Sequence, residues 1–188
     1  MNVFSHVMAR ATSDQRLVNR LHAVALVLDD AVRSRVADAA PLPGGDVAAL
    51  RSLVNFADGR RIEELRAALG LSQPGGAHLV SRLEAAGLAE RRRDPQDGRG
   101  VLVTLTPRGR RMARTVAEAR EAAIRESLGV LDEREQSALL GVLDDILRGA
   151  THSRRDARRV CRLCDGEACG HPGDCPVTLR ADELEGER

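Results

Sequence analysis

The sequence predicts a mainly α-helical protein with one small two-stranded β-sheet. Apolar residues recur at helical spacing in several segments of the 188-residue chain. An alternating apolar pattern occurs in two short neighbouring segments, and the DPQDGRG stretch between them is rich in turn-forming residues. A content of 43% hydrophobic and 30% charged residues is typical of a globular protein that buries one core.

Two helices are predicted before residue 57. Residues 16–39 carry one apolar stripe at helical spacing and indicate a long helix, which a proline-rich PLPGG segment ends. Asp46 is a candidate N-cap for a second helix over residues 47–56. The stripe of the first helix consists of Leu17, Leu21, Val24, Leu28 and Val32.

Two shorter helices follow, separated by a tight turn. A helix over residues 62–69 is expected to end at Gly70, because glycine readily adopts the left-handed conformation that closes helices. Ser72 is predicted to cap the next helix, which runs to residue 86 and is stopped by Gly87.

The two strands and two further helices complete this part of the chain. Residues 89–93 and 101–106 are predicted to form a two-stranded β-wing. Thr106 then caps a long helix whose first residue is proline, an arrangement typical of helix N-termini. Asp132 caps the last helix of this region, and Gly149 ends it.

This order of elements is that of a winged helix-turn-helix with additional helices on either side. The flanking helices carry apolar faces that are longer than the small central part can cover. A single copy of the chain would leave these faces in water. We therefore expect a homodimer that is joined through the two ends of the chain.

Three segments resemble a known family. LRAALGLSQ is similar to a helix-turn-helix junction, LVSRLEAAGLAERRRDPQDGRG to a recognition helix and a wing with Asp97 and Arg99 at its tip, and VTLTPRGR to the start of the following helix. In this order, over residues 16–148, they resemble the MarR family of bacterial transcription regulators. The resemblance implies a dimer that binds a palindromic double-stranded DNA operator, usually as a repressor, and releases it when a ligand or an oxidant acts.

The sequence thus divides into four predicted parts. They are an N-terminal dimerisation helix (residues 1–45), a winged helix-turn-helix DNA-binding domain (46–106), C-terminal dimerisation helices (107–150) and a cysteine-rich metal or redox tail (151–188).

The recognition helix and the wing supply the candidate DNA-binding residues. Ser72 is expected to cap the helix so that its free N–H groups face a phosphate, and Gln73 is expected to contact adenine. Gly75 and Gly76, which cost about 1 kcal/mol each in a helix relative to Ala, would permit close approach to DNA or mark a helix that DNA orders. The other candidates are His78, Ser81 and Arg82 on the outward face, Arg91 near the DNA backbone and Arg99 in the minor groove.

Positive charge comes from arginine alone, since none of the 29 basic residues is lysine and the net charge is only +1. Arginine makes bidentate contacts with phosphate and guanine, so arginine-rich patches at residues 90–111 and 154–162 suit nucleic-acid contact. The chain has no Trp, no Tyr and two Phe, which disfavours functions that stack bases or sugars on aromatic rings.

All four cysteines lie close together near the C-terminus. An iron–sulfur cluster is the favoured interpretation, because clustered thiols in a reducing compartment suggest metal or redox chemistry and a Cys-Pro at the last ligand is typical of cluster proteins. The segment resembles the cluster loop of the SoxR redox regulators, although that loop has one residue between the second and third cysteines and this one has four. The ligands would be Cys161, Cys164, Cys169 and Cys175.

Two other interpretations of the cysteines stay open. One is structural Zn²⁺ held by the four cysteines, or with His171 replacing one of them. The other is a thiol switch that closes disulfides on oxidation. The lead hypothesis is therefore a repressor whose tail senses redox state, iron or nitric oxide. The alternative is a regulator that responds to a small-molecule effector and whose tail is a zinc staple.

Other functional classes are disfavoured. The sequence has no paired nucleophile and base at a recognisable spacing, so we do not expect an enzyme. The longest uncharged apolar stretch, near residues 23–28, is too short to cross a bilayer, and the N-terminal residues have no signal-peptide pattern. We expect a cytoplasmic protein without membrane contacts.

Overall fold

The computed structural model describes residues 12–97 and 100–186 and is mainly helical, as predicted. None of these described helices is long and apolar enough to span a membrane. The elements in chain order are α1 (Ser13–Ala39), α2 (Gly44–Ser52), a π-helical turn (Leu53–Ala57), β1 (Arg60–Arg61), α3 (Ile62–Leu69), α4 (Gln73–Ala85), β2 (Ala89–Arg93), β3 (Val101–Leu105), α5 (Pro107–Leu128), α6 (Glu133–Gly149), α7 (Arg154–Val160), a 3-10 turn (Cys161–Leu163) and α8 (Pro176–Gly186).

The long helices α1 and α5 pack against each other. α1 begins earlier than predicted, because the Thr12 hydroxyl accepts a hydrogen bond from the Gln15 N–H and caps the helix. Val36 of α1 packs with Val116 of α5 in a small apolar cluster. Most of the apolar stripe of α1 stays exposed, as the sequence leads one to expect for an unpaired copy.

The prediction that Asp46 caps α2 is wrong. The helix already begins at Gly44, after Pro43, and Asp46 lies buried in its first turn. Its carboxylate binds the side chain of Arg82 on α4 instead of a backbone N–H. The predicted helix over residues 47–56 exists, but its last turn is π-helical.

The helix-turn-helix forms as predicted. α3 ends at Gly70, which has a φ of 67° in the left-handed region. Ser72 caps α4 by accepting a hydrogen bond from the Gly75 N–H at 3.2 Å, and Gly87, also with a φ of 67°, follows the helix. The largest buried side chains of the central core are Leu50, Leu53, Leu65, Leu79, Val80, Leu83, Leu88 and Val103.

The two strands predicted for the wing, β2 and β3, pair antiparallel as expected, and the short β1 adds a third strand to their sheet. The strand order is β1-β3-β2. The short β1 was missed because two consecutive arginines have no alternating apolar pattern. On β3, Val103 and Leu105 are buried, whereas Val101, next to the wing loop, is 39% exposed.

A close backbone contact joins the sheet to α5. Thr106 caps α5 as predicted, since its hydroxyl accepts a hydrogen bond from the Gly109 N–H at 3.0 Å. A Cβ atom on Gly109 would lie 1.9 Å from the carbonyl oxygen of Leu88, so this position accepts only glycine. Asp132 caps α6, also as predicted.

The C-terminal tail packs against both α6 and the helix-turn-helix. Buried residues of α7 and α8 form a small core of their own, and Leu147 of α6 packs against it. Arg148 of α6 forms an ion pair with Glu183 of α8 at 2.8 Å. Arg158 of α7 lies 3.5 Å from Glu64 of α3. The tail therefore bridges the last flanking helix and the central domain.

Candidate nucleic-acid interface and cysteine cavity

The N-terminal end of α4 presents a capped, polar surface. The hydrogen bond from the Gly75 N–H to the Ser72 hydroxyl fixes the first turn, whose N–H groups point along the helix axis towards any bound anion. Gln73 and His78 are exposed on the same helix. These side chains are therefore open to a partner, as a major-groove helix requires.

The two glycines of α4 have different surroundings. Gly75 is half-buried and Gly76 is buried. A Cβ atom on Gly76 would lie 3.3 Å from Cγ of Arg66 on α3. Gly76 therefore allows α3 and α4 to pack closely, which corrects the expectation that it lies against DNA. The helix is continuous through both glycines.

Arg91 and Ser81 connect the wing to α4. The Arg91 guanidinium donates hydrogen bonds to the Ala77 carbonyl and to the Ser81 hydroxyl, each at 3.1 Å. Arg91 also forms an ion pair with Glu84. These contacts hold β2 against the outward side of α4. Arg91 is thus bound within the chain, its side chain is 33% exposed, and its contact with the DNA backbone stays a prediction.

Arg82 is likewise held by its own chain. Its Nη2 donates a hydrogen bond to Oδ1 of Asp46 at 2.6 Å, and Asp46 is buried. The carboxylate raises the pKa of the guanidinium, mainly through this hydrogen bond. Arg82 therefore links α4 to α2, and only its exposed part remains open to a partner.

The loop of the wing is anchored by Arg61, which the sequence did not single out. Arg61 Nη2 lies 3.1 Å from Asp94 Oδ2 and 2.9 Å from Asp97 Oδ2. The Gln96 N–H, which donates to Asp94 Oδ1 at 2.9 Å, lowers the pKa of the Asp94 carboxyl, and Arg61 lowers it further. Arg99, the predicted minor-groove residue, lies outside the described residues.

The four cysteines line one cavity of about 160 Å³, as their predicted role in a common site requires. All four thiols are free, Cys175 is buried and the other three are half-buried. The sulfur atoms of Cys169 and Cys175 are 4.0 Å apart. Asn55 and Phe56 of the π-helical turn also line the cavity, so it lies where the tail meets the central domain.

The thiols differ in acidity because of their surroundings. A hydrogen bond between Cys161 and Cys164 raises the pKa of Cys161 and lowers that of Cys164 to about 6. Burial raises the pKa of Cys169 to about 11, and nearby thiolates add to the effect. Burial also acts to raise the pKa of Cys175, but hydrogen bonds from Thr178 and from the backbone outweigh it and lower that pKa. The cavity therefore favours thiolates at two of the four positions.

His171 lies at the same cavity. Its Nδ1 is 2.8 Å from the Thr178 hydroxyl, and this hydrogen bond fixes the ring. In metal sites, the ring nitrogen of a histidine ligand that does not bind the metal commonly forms such a hydrogen bond. The structure thus places the predicted substitute ligand beside the four thiols.

This set of donors fits iron or zinc chemistry. Among the described residues, however, no three His, Cys, Asp or Glu side chains are close enough together to hold one metal ion. A single zinc ion with sulfur ligands at about 2.3 Å would bring all four sulfur atoms to within about 4 Å of one another. The sulfur atoms of Cys169 and Cys175, 4.0 Å apart, lie close to this separation, so this pair is compatible with either kind of metal site.

Three side chains that sequence reasoning missed hold the start of the cysteine segment. They lie on α2 and the π-helical turn, and each donates a hydrogen bond to a backbone carbonyl of residues 161–164. No pattern in the sequence indicates them, because donor and acceptor are 106 to 113 residues apart. These residues are Arg51, Ser52 and Asn55.

Comparison with known proteins identifies the central domain. Residues 41–100 match the model of the MarR family. A relative described as the uncharacterized HTH-type transcriptional regulator YdgJ of Bacillus subtilis (strain 168) is 29% identical over 94 residues. That alignment covers 50% of this chain and 57% of the relative, so the chain matches little more than half of the length of that protein.

Solved structures share the architecture over a longer stretch. RV1404 from Mycobacterium tuberculosis superposes with a TM-score of 0.63 at 23% identity, covering 74% of this chain and 95% of its own. Sco3205, a MarR family transcriptional regulator from Streptomyces coelicolor whose crystal structure is in complex with DNA, has a TM-score of 0.57 at 25% identity. It covers 76% of this chain and 91% of its own.

The segment that matches the family model contains α2, α3 and α4, and the likeness to RV1404 covers a larger share of the chain, 74%. MarR-family proteins are transcription regulators and not enzymes, in agreement with the expectation from the sequence. Residues 41–100 therefore match the MarR family model as a winged helix-turn-helix domain, and the described chain shares its fold with solved MarR-family regulators such as Sco3205.

Proposed function

We propose that this protein is a homodimeric transcription regulator that binds a palindromic double-stranded DNA operator and acts as a repressor in the cytoplasm. The observation that carries this proposal is the capped N-terminal end of α4, with Gln73 and His78 exposed beside a wing that Arg91 fixes to the same helix. A helix end of this kind reads base edges and binds phosphate in the major groove. The crystal structure of Sco3205 in complex with DNA supports DNA binding by this fold.

Exposed apolar side chains support the dimer. Leu17 of α1 is 66% exposed and Leu140 of α6 is 61% exposed, and each belongs to an apolar row on its helix. Contiguous apolar surface of this kind is typical of subunit interfaces. The exposed members of these rows are Leu17, Leu21 and Val24 on α1, and Leu140, Leu143 and Ile146 on α6.

The cysteine cavity would hold an iron–sulfur cluster that makes operator binding depend on redox state, iron or nitric oxide. The four thiols around one cavity, and the proline directly after the last cysteine, which is typical of cluster proteins, support a cluster. Arg51 and Arg120 lie near Cys164 and would offset the negative charge of the thiolates. When bound, a cluster supplies a one-electron redox couple that the protein itself lacks. Its ligands would be Cys161, Cys164, Cys169 and Cys175.

The position of the tail supports a route to DNA. Because the tail is tied to α6 at one end and to α3 at the other, a change in the cavity would alter the angle between the dimerisation helices and the DNA-binding domain. In a dimer this angle sets the distance between the two recognition helices, and hence the fit to a palindrome.

A test of DNA binding would select operator sequences from genomic fragments and then measure affinity by fluorescence anisotropy. Gln73→Ala and His78→Ala are each expected to weaken binding about tenfold or more, as loss of one base contact does. His152→Ala, which removes an exposed histidine outside the central domain, is the matched control. Unchanged affinity in both α4 variants would contradict the proposed recognition surface.

A test of the cofactor would combine metal analysis with a visible absorption spectrum of protein purified without oxygen. With no Trp or Tyr in the chain, the near-ultraviolet background is low. Iron, inorganic sulfide and a broad visible absorption that Cys161→Ser abolishes are the expected result. A colourless protein with one zinc ion per chain would contradict the sensor and show that the tail is a structural zinc staple. The signal would then be a small-molecule effector.

A further inference from the structure

One face of α2 and its π-helical extension binds the first turn of the cysteine segment. Nδ2 of Asn55 donates hydrogen bonds to the carbonyl oxygens of both Cys161, at 3.2 Å, and Cys164, at 2.7 Å. The Ser52 hydroxyl donates to the Arg162 carbonyl at 3.3 Å. One helix face thus holds the backbone carbonyls on both sides of the CxxC turn.

Arg51 adds a buried positive charge to this contact. Its Nη2 donates a hydrogen bond to the Cys164 carbonyl at 2.7 Å and lies 3.6 Å from Oδ2 of Asp165. Its Nη1 donates to the Ala113 carbonyl of α5 at 3.4 Å. Arg51 is only 3% exposed, and burial lowers its pKa. Loss of a hydrogen-bond partner of a buried guanidinium costs much free energy, because water cannot take the place of that partner.

The opposite side of α2 contacts the recognition helix. Leu50 and Leu53 pack in the same core as Leu79 and Leu83 of α4. At the start of α2, Asp46 binds Arg82 of α4 (2.6 Å). The segment 44–57 therefore lies between the CxxC turn and α4, with polar contacts to both.

We propose that Arg51, Ser52 and Asn55 are positioning residues that couple the state of the cysteine cavity to the recognition helix. This inference rests on the proposed function, because it names the contact through which a change at the cysteines reaches DNA. The three side chains bind the carbonyls of residues 161–164, and the thiols of that turn line the cavity.

The physical reason is that the sulfur atoms and the carbonyls belong to the same short turn. The Cys164 N–H donates to the Cys161 carbonyl at 3.0 Å, so the turn is closed and moves as a unit. Gain or loss of a bound group at Cys161 and Cys164 changes the orientation of their carbonyls. The buried Arg51 and Ser52 and the half-buried Asn55 then lose their acceptors unless α2 moves with the turn, and α4 moves with α2.

The test compares the full chain in two states. One sample is protein purified without oxygen, in which the number of iron or zinc ions per chain is measured. The other is the same protein after a chelator has removed the metal under reducing conditions. We expect operator affinity of the wild type to differ between the states on the order of tenfold, a typical coupling between sites. Hydrogen exchange of residues 44–57 should differ between the states as well.

Three variants separate the contact from other effects. Asn55→Ala removes the donor, Asn55→Asp keeps the shape but cannot donate, and Val54→Ala changes a neighbouring exposed side chain that does not contact the turn through a hydrogen bond. Both Asn55 variants are expected to bind the same amount of metal as the wild type, to show nearly equal operator affinity in the two states and to lose the difference in hydrogen exchange. Val54→Ala should behave as the wild type.

The outcomes distinguish this inference from the proposed function. If the Asn55 variants keep the wild-type difference in operator affinity, Asn55 does not couple the cavity to α4, and the proposed sensing function is unaffected. If only Asn55→Ala loses the difference, the role of Asn55 is steric and the hydrogen-bond coupling is wrong. If the Asn55 variants bind less metal, Asn55 assembles the site and does not couple it. If the wild type itself shows no difference in affinity, the proposed sensing fails, and the coupling with it.

Discussion

The carboxylate of Asp46 on α2 accepts hydrogen bonds from Nη2 and Nε of Arg82 on α4, at 2.6 and 3.2 Å. Asp46 is 4% exposed, so this pair joins the first helix of the DNA-binding domain to the recognition helix from within. The pair fixes the rotation of α4 about its axis, and with it the direction in which Gln73 and His78 point.

Arg82→Ala is expected to lower the free energy of unfolding, because it leaves the buried Asp46 carboxylate without its charged partner. Urea unfolding followed by circular dichroism measures this loss. The double variant Asp46→Ala/Arg82→Ala should be more stable than Arg82→Ala, since it removes the unpaired charge. Arg134→Ala, at an exposed position on α6, is the control. Wild-type stability of Arg82→Ala would show that the pair does not hold α4.

Gly109→Ala should destabilise the protein strongly. The new Cβ atom would lie 1.9 Å from the Leu88 carbonyl oxygen, so α5 must move away from the sheet. We expect a loss of about 3 kcal/mol or more in the free energy of unfolding, or failure to fold. The matched control is Gly141→Ala on α6, where nothing lies within 4 Å of the added atom and helix propensity should increase stability by about 0.5–1 kcal/mol. Equal effects of the two substitutions would contradict the close contact.

Local signals predicted most of the fold. The caps at Ser72, Thr106 and Asp132 and the left-handed Gly70 lie where the sequence places them, because each depends on residues within one turn. Asp46 has the side chain of a cap, yet a partner far along the chain binds it instead. The short strand β1 was not predicted, in part because its pairing with β3 depends on residues far along the chain.

In the candidate sites, too, features set by nearby residues could be predicted from the sequence, and contacts between distant residues could not. Cysteine spacing predicted that four thiols share a site, and they line one cavity. The residues that hold this site could not be predicted, because Asn55 and its neighbours meet the CxxC turn only after the tail folds back onto α2. Likewise, Arg91 looks free to contact DNA in the sequence, but folding brings Ala77 and Ser81 within hydrogen-bonding distance.

The wing loop should loosen in acid. Hydrogen bonds from the Gln96 N–H and from Arg61 hold the pKa of the Asp94 carboxyl below its usual value of about 4. Because the pKa of Asp94 is lower in the folded than in the unfolded protein, the stabilisation is fully present above the unfolded pKa. It is lost as the pH falls through the folded pKa. In an NMR titration, the Gln96 amide signal should therefore shift with a midpoint below about 4.

Arg61→Ala should raise the midpoint of this titration towards the ordinary aspartate value, since one of the groups that favour the charged carboxylate is removed. The same titration of Asp94→Asn, which has no carboxyl at this position, should lack the transition. An identical midpoint in the wild type and in Arg61→Ala would show that Arg61 does not anchor the loop.

Dimer formation should depend on the apolar row of α1. Leu21→Asp places a charge in the middle of this row, where a second copy would have to bury it without a partner. We expect the variant to be a monomer in sedimentation velocity at concentrations where the wild type is a dimer. We also expect it to lose most of its affinity for a palindromic operator while still folding, because Leu21 is exposed in the single chain and contributes little to its core. Val101→Asp, a similar change on the exposed part of β3, should leave the mass unchanged. If Leu21→Asp stays dimeric, the two copies meet through a different surface, and α6 with its exposed Leu140 becomes the next position to test.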